Sequence, residues 1–319
     1  MSLIALVSFW ACVPSMQAGF IWPKIAVLVI GAVACALRRR PRWLLFLAVA
    51  AVAALRGDNL IISTLGFPGE WSGGLLAIAF YALLTLMPTK FPWLKWAGIG
   101  LATHAVLQRF GLDPLIPLRF MPQHQATTWL GGHVDTGAML AMAAPVVGWA
   151  WLPLIAAGLL AAKARAAMLA AAFVLTPRRW RWAYAPLAVV PFLLHSPADV
   201  ARVDLWRVAA RGWAERPLLG HGPETYRLTF DRLKRADLAA ITGPGYEQNH
   251  AHNDILEALH CIGALGLLAY LFLVWPLLAD PSLLALFVSL KFNPVSVEVL
   301  AAAALVAANL YRKQENHEG

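Results

Sequence analysis

The chain is poor in charged residues and in cysteine. Only 13% of its 319 residues are charged and 60% are hydrophobic, which gives a mean hydropathy of +0.63. This composition excludes an ordinary water-soluble domain and favours apolar segments that cross a bilayer. The three cysteines, Cys12, Cys35 and Cys261, all lie in apolar segments. Their position favours buried packing over a disulfide framework.

Acidic residues are scarcer than basic ones, with 17 against 26, and the formal net charge is +9. The basic residues concentrate at the ends of apolar segments, where the positive-inside bias of membrane proteins places them. We therefore expect the partner of the protein to be a lipid bilayer and not a nucleic acid. The clusters assigned to the cytoplasmic side are Arg38 to Arg42, Lys90 with Lys95, Arg178 to Arg181, and Arg312 with Lys313.

The apolar runs between these clusters predict an all-α polytopic membrane protein with about twelve transmembrane helices and both termini in the cytoplasm. Several runs have only about 12 to 15 residues, whereas roughly 20 are needed to cross the hydrocarbon core, so two short runs can be half-helices. The predicted spans are Leu3 to Ile21, Lys24 to Leu37, Trp43 to Leu55, Gly73 to Met87, Leu94 to Phe110, His133 to Gly148, Trp151 to Ala162, Arg165 to Thr176, Trp182 to His195, His252 to Val274, Leu277 to Leu290, and Pro294 to Tyr311.

One long segment, residues 196–249, is too polar to span the membrane, and the charge pattern assigns it to the periplasmic side. This divides the chain into a transmembrane region (1–195), a helical periplasmic loop (196–249) and C-terminal transmembrane helices (250–319).

Capping signals predict two helices in this loop. Ser196 followed by Pro197 marks the start of a helix that ends near Trp213. A second helix is predicted from Pro223 to about Ala240.

Directly after the loop, His250, His252 and Asn253 lead into a long apolar segment. A histidine-rich cap on a membrane helix predicts a reaction centre, although the same residues could simply cap the helix. Lys163 and Arg165 fall on the outer side by the same count of spans, and charge held near lipid usually serves a ligand or a pathway. Arginines that converge beside a histidine suit a phosphate group. Snorkelling to lipid headgroups is the alternative role for such arginines.

Several motifs resemble the O-antigen ligase and polymerase superfamily, which includes bacterial oligosaccharyltransferases that glycosylate proteins. The main motifs are Arg202 with Trp206, Arg-Pro-Leu-Leu-Gly-His-Gly-Pro at 216–223, His-Asn-Asp-Ile-Leu-Glu at 252–257 and Gly-Ala-Leu-Gly at 263–266. Further matches are Gln108 to Gly111, the turn from Gly131 to Asp135, and the corner from Lys163 to Arg165.

The resemblance implies a GT-C-class glycosyltransferase of the bacterial inner membrane whose active site faces the periplasm. Such an enzyme moves a glycan from undecaprenyl pyrophosphate to an acceptor hydroxyl, with inversion and without metal or cofactor. It implies His252 as the catalytic base and Arg165, Arg202, Arg109 and Lys163 as ligands of the pyrophosphate. Secondary candidates are His250, Asn253, His221, Arg211, Gln108, His133 and Asp135.

The acceptor stays open at this point. Lipid A core would make the protein an O-antigen ligase, which we favour; a second lipid-linked glycan would make it a polymerase, and a protein acceptor an oligosaccharyltransferase. A flippase or another transporter is the alternative outside this class. Transporters tend to carry polar groups near mid-membrane, whereas here they collect at one face, which favours a transferase.

Overall fold

The computed structural model describes residues 41–66, 73–87, 92–113, 125–188, 197–235 and 248–318. Within these ranges the chain is α-helical, with short 3₁₀ segments and no β-strand, so the all-α prediction is confirmed. The helices are α1 Pro41–Arg56, α2 Leu60–Leu65, α3 Leu75–Leu84, α4 Trp93–Arg109, α5 His133–Ala143, α6 Leu152–Ala162, α7 Arg165–Leu175, α8 Pro197–Glu215, α9 Tyr226–Leu233, α10 Asp254–Val274, α11 Pro281–Leu290 and α12 Val297–Glu318. The first two predicted spans lie outside the described residues.

Small residues let the helices approach closely. A Cβ atom added at Gly98 of α4 would lie only 2.3 Å from the Cβ of Ala143, the last residue of α5. Large apolar side chains such as Trp149, Leu268 and Trp275 are instead exposed on the outer surface. Small residues between helices and large apolar residues outside are the arrangement expected of helices packed within lipid.

Helix length limits how many complete spans the described residues contain. Among them, the segment Asp254–Ala279 is long and apolar enough to cross a membrane, with 26 residues. The shorter apolar helices are Leu75–Leu84, Trp149–Ala162, Arg165–Leu175 and Pro281–Leu290. A helix of ten residues is about 15 Å long, roughly half the thickness of the hydrocarbon core. The described helices therefore do not establish twelve complete spans.

The predicted span from Leu277 to Leu290 is wrong because a cap divides it. The side chain of Asp280 accepts hydrogen bonds from the backbone N–H groups of Ser282 and Leu283. Pro281 follows as the first residue of α11. An acidic N-cap with proline behind it starts a new helix, so the residues before Asp280 form a 3₁₀ extension of α10.

The predicted span from Trp182 to His195 is also wrong where the structure describes it. Residues Arg178–Ala188 form a 3₁₀ segment instead of an α-helix. Arg181 donates hydrogen bonds to the carbonyls of Thr176 and Val174 at the end of α7, which holds the segment against that helix. Residues 189–196 lie outside the described part of the chain.

The loop helices agree in part with the prediction. Helix α8 runs from Pro197 to Glu215, close to the predicted range. Helix α9 begins at Tyr226 and ends at Leu233, so both predicted ends are wrong. Glu224 has a φ of 60°, which a right-handed helix cannot contain. At the other end Lys234 is extended, with a ψ of 153°.

Helix α10 is kinked at Gly263, where φ is 68° and ψ is −172°. The loop that follows α8 supplies the hydrogen bonds that the kink removes from the helix. These bonds join the N–H of Ala264 to the carbonyl of Pro217, Leu265 to Leu218, His221 to His260, and Gly222 to Cys261, at 2.8 to 3.2 Å. The loop is thereby fixed to α10 at the kink itself.

We expect Gly263→Ala to destabilise the protein more than an alanine at a comparable glycine. A Cβ at Gly263 would lie 2.3 Å from the carbonyl carbon of Leu218, and the backbone conformation itself costs a non-glycine residue about 1 to 3 kcal/mol. Gly148 has a similar conformation, with φ 81° and ψ 158°, but no atom within 4 Å of its added Cβ. The measurement is thermal unfolding in detergent of both variants; equal losses would contradict the close contact at Gly263.

Helix α1 packs against α10 and runs opposite to the half of α10 that follows the kink. The guanidinium of Arg42, at the start of α1, lies 4.7 Å from the ring centroid of Phe272 near the end of α10. Just beyond the other end of α1, the N–H of Asp58 donates to the carbonyl of His221 at 2.7 Å. Because α10 folds back at the Gly263 kink, Tyr270 reaches Asp254, two residues after His252, and the His252 turn lies towards the Arg42 end of α1.

Candidate active site

An apolar cavity of about 320 Å³ runs along α10 and has a polar end. Its apolar wall is formed by side chains such as Phe46 of α1, Leu273 of α10 and Leu286 of α11. The polar side chains that line it include His250, His252, Asp254, Glu257 and Glu224. The cavity therefore offers apolar surface to a lipid chain and a group of titratable side chains to a polar head.

The turn before α10 sets the direction of the His252 side chain. Asn253 is the N-cap, and its Oδ1 accepts hydrogen bonds from the N–H groups of Ile255 and Leu256 at 3.1 and 3.2 Å. Its Nδ2 donates to the carbonyl of Lys291 at 3.1 Å. Capping is thus done by Asn253, and the imidazole of His252 is left for other contacts.

The imidazole of His252 is partly buried. Its Nε2 lies 3.0 Å from Oε1 of Gln248. Its Nδ1 is buried and forms no hydrogen bond of normal geometry to the described residues, although the side chain of Asn293 lies close enough to favour the protonated ring. One ring nitrogen therefore keeps a lone pair that can accept a proton.

The surroundings of His252 keep its imidazole neutral. Its pKa is lowered to about 4, mainly by burial and also by the positive charges of His250 and Arg202, against the opposing effects of Glu257 and Asn293. A pKa below 7 leaves the lone pair of the ring free to accept a proton at neutral pH. Arg202, from α8, is thus close enough to act on this imidazole electrostatically.

Three carboxylates at the polar end of the cavity were not predicted as site residues. Glu257 accepts a hydrogen bond from the N–H of Ala251 at 2.5 Å. Asp254 pairs with Lys291 and accepts a hydrogen bond from the hydroxyl of Tyr270 at 2.6 Å. Glu224 is buried and accepts from the N–H of Gly73. The sequence could have indicated Asp254 and Glu257, because both are acidic residues in the first turns of α10. No local pattern in the sequence marks Glu224.

The Arg-Pro-Leu-Leu-Gly-His motif fastens the loop to the turn after α1. Arg216 Nη2 lies 2.8 Å from one oxygen of Asp58, and His221 Nδ1 lies 2.7 Å from the other. The second ring nitrogen of His221 lies 2.9 Å from the carbonyl of Gly212. Both nitrogens of the buried His221 imidazole are therefore occupied within the protein, and the Gly-His-Gly-Pro run forms a tight turn.

Two other candidates hold loops in place. Gln108 Oε1 accepts from the N–H groups of Thr127 and Thr128 at 3.1 and 2.9 Å. Asp135 accepts from the N–H of Ser296 at 2.6 Å and so ties α5 to the start of α12.

The cationic candidates other than Arg202 lie on the surface. Arg109, Lys163, Arg165 and Arg211 are all exposed. Lys163 has a φ of 54° at the end of α6, and Arg165 begins α7. The residues that line the cavity of His252 include none of these four and none of Arg202, His221, Gln108, His133 and Asp135.

Comparison with known families adds a separate line of evidence. Residues 136–271 match the family model described as O-Antigen ligase. This part of the chain is similar to the O-antigen ligase and polymerase superfamily. The matched range contains α8, α9, the His252 turn and most of α10, so it covers the polar end of the cavity. A comparison with curated proteins gives no match.

The match over residues 136–271 supports the resemblance to the O-antigen ligase superfamily that the motifs indicated. Proteins of this superfamily are membrane proteins with ligase or glycosyltransferase activity, and they act on lipid-linked glycans and an acceptor. The match therefore supports a general enzymatic role of this kind for the chain.

Proposed function

We propose that the protein is an O-antigen ligase, a membrane glycosyltransferase that moves a glycan from undecaprenyl pyrophosphate to lipid A core at the periplasmic face. One observation carries this proposal: a neutral imidazole, His252, stands at the polar end of an apolar cavity, with the guanidinium of Arg202 nearby. A lipid-linked sugar needs apolar surface for its chain and a charged group for its phosphates.

The reaction in this proposal is a direct displacement. His252 accepts the proton of the acceptor hydroxyl as the oxygen bonds to C1 of the donor sugar. The bond from C1 to the pyrophosphate oxygen breaks at the same time, and attack from the opposite face inverts C1. Arg202 stabilises the negative charge that grows on the leaving pyrophosphate. We assign no metal and no cofactor to this step.

Other acceptors and one other class of protein remain as alternatives. A polymerase would use a second lipid-linked glycan as acceptor, and a protein oligosaccharyltransferase would use a protein hydroxyl. A flippase would move the same donor without forming a bond. The polar lining of the cavity includes the residues that precede or begin α10, and this arrangement favours chemistry at a membrane surface over transport through the middle.

Reconstitution tests the proposal. Purified protein in liposomes receives an undecaprenyl-pyrophosphate-linked glycan together with lipid A core, a second lipid-linked glycan or a protein acceptor, each in a separate reaction. We expect release of undecaprenyl pyrophosphate and a glycan covalently attached to lipid A core. Movement of the donor across the bilayer without any covalent product would instead support a flippase.

For the topology we propose a polytopic membrane protein with both termini in the cytoplasm and residues 196–249 as a periplasmic loop between the two transmembrane regions. The basic clusters at the ends of the apolar segments support this arrangement. The fold of α10, in contrast, brings the His252 turn towards the basic start of α1, so labelling has to decide on which side of the membrane the turn lies.

Cysteine labelling checks the topology. In a cysteine-free variant, Ala210→Cys and Ala214→Cys place single thiols at exposed positions of α8. We expect an impermeant thiol reagent to label both in intact spheroplasts. The matched control is Ala183→Cys, which is exposed beside the Arg178–Arg181 cluster and should react only after lysis. The reverse pattern would place the active site in the cytoplasm and contradict the proposed function.

A further inference from the structure

The backbone of His252 has a conformation that histidine rarely adopts. Its φ is 55°, in the left-handed region, which costs an L-residue roughly 1 to 2 kcal/mol. Such a conformation persists only where the surrounding structure holds it firmly. The group that holds this turn therefore also determines where the imidazole points.

The carboxylate of Glu257 makes the contacts that hold the turn. Its Oε2 accepts a hydrogen bond from the N–H of Ala251 at 2.5 Å, and its Oε1 lies 3.4 Å from Nδ1 of His250. One carboxylate thus binds both residues that directly precede His252. The same Oε1 is 3.5 Å from Sγ of Cys261, one helical turn further along α10.

Helix capping does not account for these contacts. In a capping box, an acid at the third helical position bonds back to the N–H of the N-cap residue. Glu257 is instead the fourth residue of α10, and it reaches two residues beyond the N-cap to Ala251. Asn253 already accepts the free N–H groups of the first turn. The contacts of Glu257 therefore serve the turn before the helix.

Glu257 is negatively charged, whereas His250 and Arg202, the other charged groups that act on His252, carry or can carry positive charge. The imidazole faces His250 and Gln248 from its own turn, Arg202 from α8, Asn293 from the segment after α11, and Glu257 from α10. His250, when protonated, and Arg202 both oppose a positive charge on His252. Among these groups Glu257 is the anion that favours this charge, which would otherwise be costly in a partly buried site.

We propose that Glu257 is the positioning residue of the catalytic base: it holds the His250–His252 turn and stabilises the imidazolium that forms during transfer. This inference rests on the proposed function, in which His252 accepts the proton of the acceptor. A carboxylate that orients a histidine and stabilises its protonated form has the same part in hydrolases that use a serine–histidine–aspartate triad.

Two substitutions separate the hydrogen bond of Glu257 from its charge. Glu257→Ala removes both, whereas Glu257→Gln keeps an oxygen that can accept from Ala251. We expect Glu257→Ala to lower kcat about 10- to 100-fold, the scale for losing a group that orients a functional side chain, with the donor KM within about twofold of wild type. Glu257→Gln should lower kcat less and move the acid limb of the kcat/KM profile to lower pH, because the imidazolium loses a favourable charge.

The matched control is Glu215→Gln, which removes an exposed carboxylate that pairs with Arg232. This variant should keep wild-type kcat and the same pH profile. Thermal unfolding of each variant in detergent corrects the rates for the folded fraction. Wild-type kcat in Glu257→Ala, or a raised KM with unchanged kcat, would overturn the inference.

A second measurement separates this inference from the proposed function. Diethyl pyrocarbonate modifies neutral imidazoles, and mass spectrometry can follow its reaction with His252 in the absence of any substrate. Because the turn is held by Glu257, we expect His252 to react several-fold faster in Glu257→Ala than in wild type or Glu215→Gln. An unchanged rate would refute the positioning role. If the wild-type protein has no transferase activity but His252 still reacts faster in Glu257→Ala than in wild type, the result would count against the proposed transferase alone.

Discussion

Replacing His252 with alanine is expected to lower glycan transfer by roughly 100-fold or more, the usual loss when a general base is removed. The protein should remain folded and inserted, because Asn253 and not His252 caps α10. The measurement is turnover of the purified variant with lipid-linked donor, beside its thermal unfolding. Wild-type turnover in this variant would remove His252 from the mechanism.

His221→Ala provides the matched histidine control. Both ring nitrogens of His221 contact groups of the protein, Asp58 and the carbonyl of Gly212. Its loss leaves buried polar groups without partners, which costs about 1 to 3 kcal/mol. We therefore expect a lower unfolding temperature in His221→Ala, with turnover that falls only as the folded fraction falls. His252→Ala should show the opposite pattern.

The pH dependence of the wild-type enzyme follows from the same histidine. Because the pKa of His252 is lowered to about 4, the imidazole stays in its base form down to that pH. We therefore expect kcat/KM to be independent of pH around neutrality and to fall only near pH 4. Bound pyrophosphate brings negative charge, which favours the imidazolium and raises this pKa. The acid limb of kcat should therefore lie at higher pH than that of kcat/KM. Coincident limbs would place the pyrophosphate away from His252.

Some of this structure could be predicted from local patterns. The excess of apolar residues indicated an all-α membrane protein, and the Pro197 signal located the start of α8. The His-Asn pair indicated the turn before α10. Each of these features depends on a few neighbouring residues, which is why hydropathy, caps and motifs were sufficient.

The features that were missed depend on contacts between distant segments. The kink at Gly263 exists because the carbonyls of Pro217 and Leu218 take over hydrogen bonds of α10, and no pattern within α10 contains that information. Glu224 reaches the cavity from a left-handed turn after the loop. Hydropathy also measures apolar length without locating breaks, so the cap at Asp280 went unnoticed and a single span was predicted there.

The arginines illustrate the same limit. Spacing along α8 was enough to place Arg202 on one face with Trp206, and the structure puts its charge near His252. Arg165 begins α7 and is exposed. A role for Arg165 in holding pyrophosphate therefore stays a prediction that depends on where the donor binds.

Substitution of Arg202 tests whether a guanidinium holds the leaving pyrophosphate. Arg202→Ala should cost about 2 to 4 kcal/mol of transition-state stabilisation, the scale for removing one donor from a preorganised site. Arg202→Lys should also impair transfer, because an ammonium cannot reproduce the planar, two-pronged contact of arginine with phosphate. An arginine that only anchors the helix at the lipid headgroups would be replaced by lysine without loss.

The decisive quantity is kcat/KM for the lipid-linked donor. Arg207→Lys is the matched control on the same helix, since Arg207 is exposed and pairs with Asp204 at 3.8 Å; its kcat/KM should equal that of wild type. Arg165→Lys tests the second predicted phosphate ligand in the same assay. If Arg202→Lys and Arg165→Lys both keep wild-type kcat/KM, the pyrophosphate is held by other cations. The residues to replace next are then Arg109, Lys163 and Arg211. A cationic partner is still required, because negative charge grows on the leaving group in a site bordered by lipid.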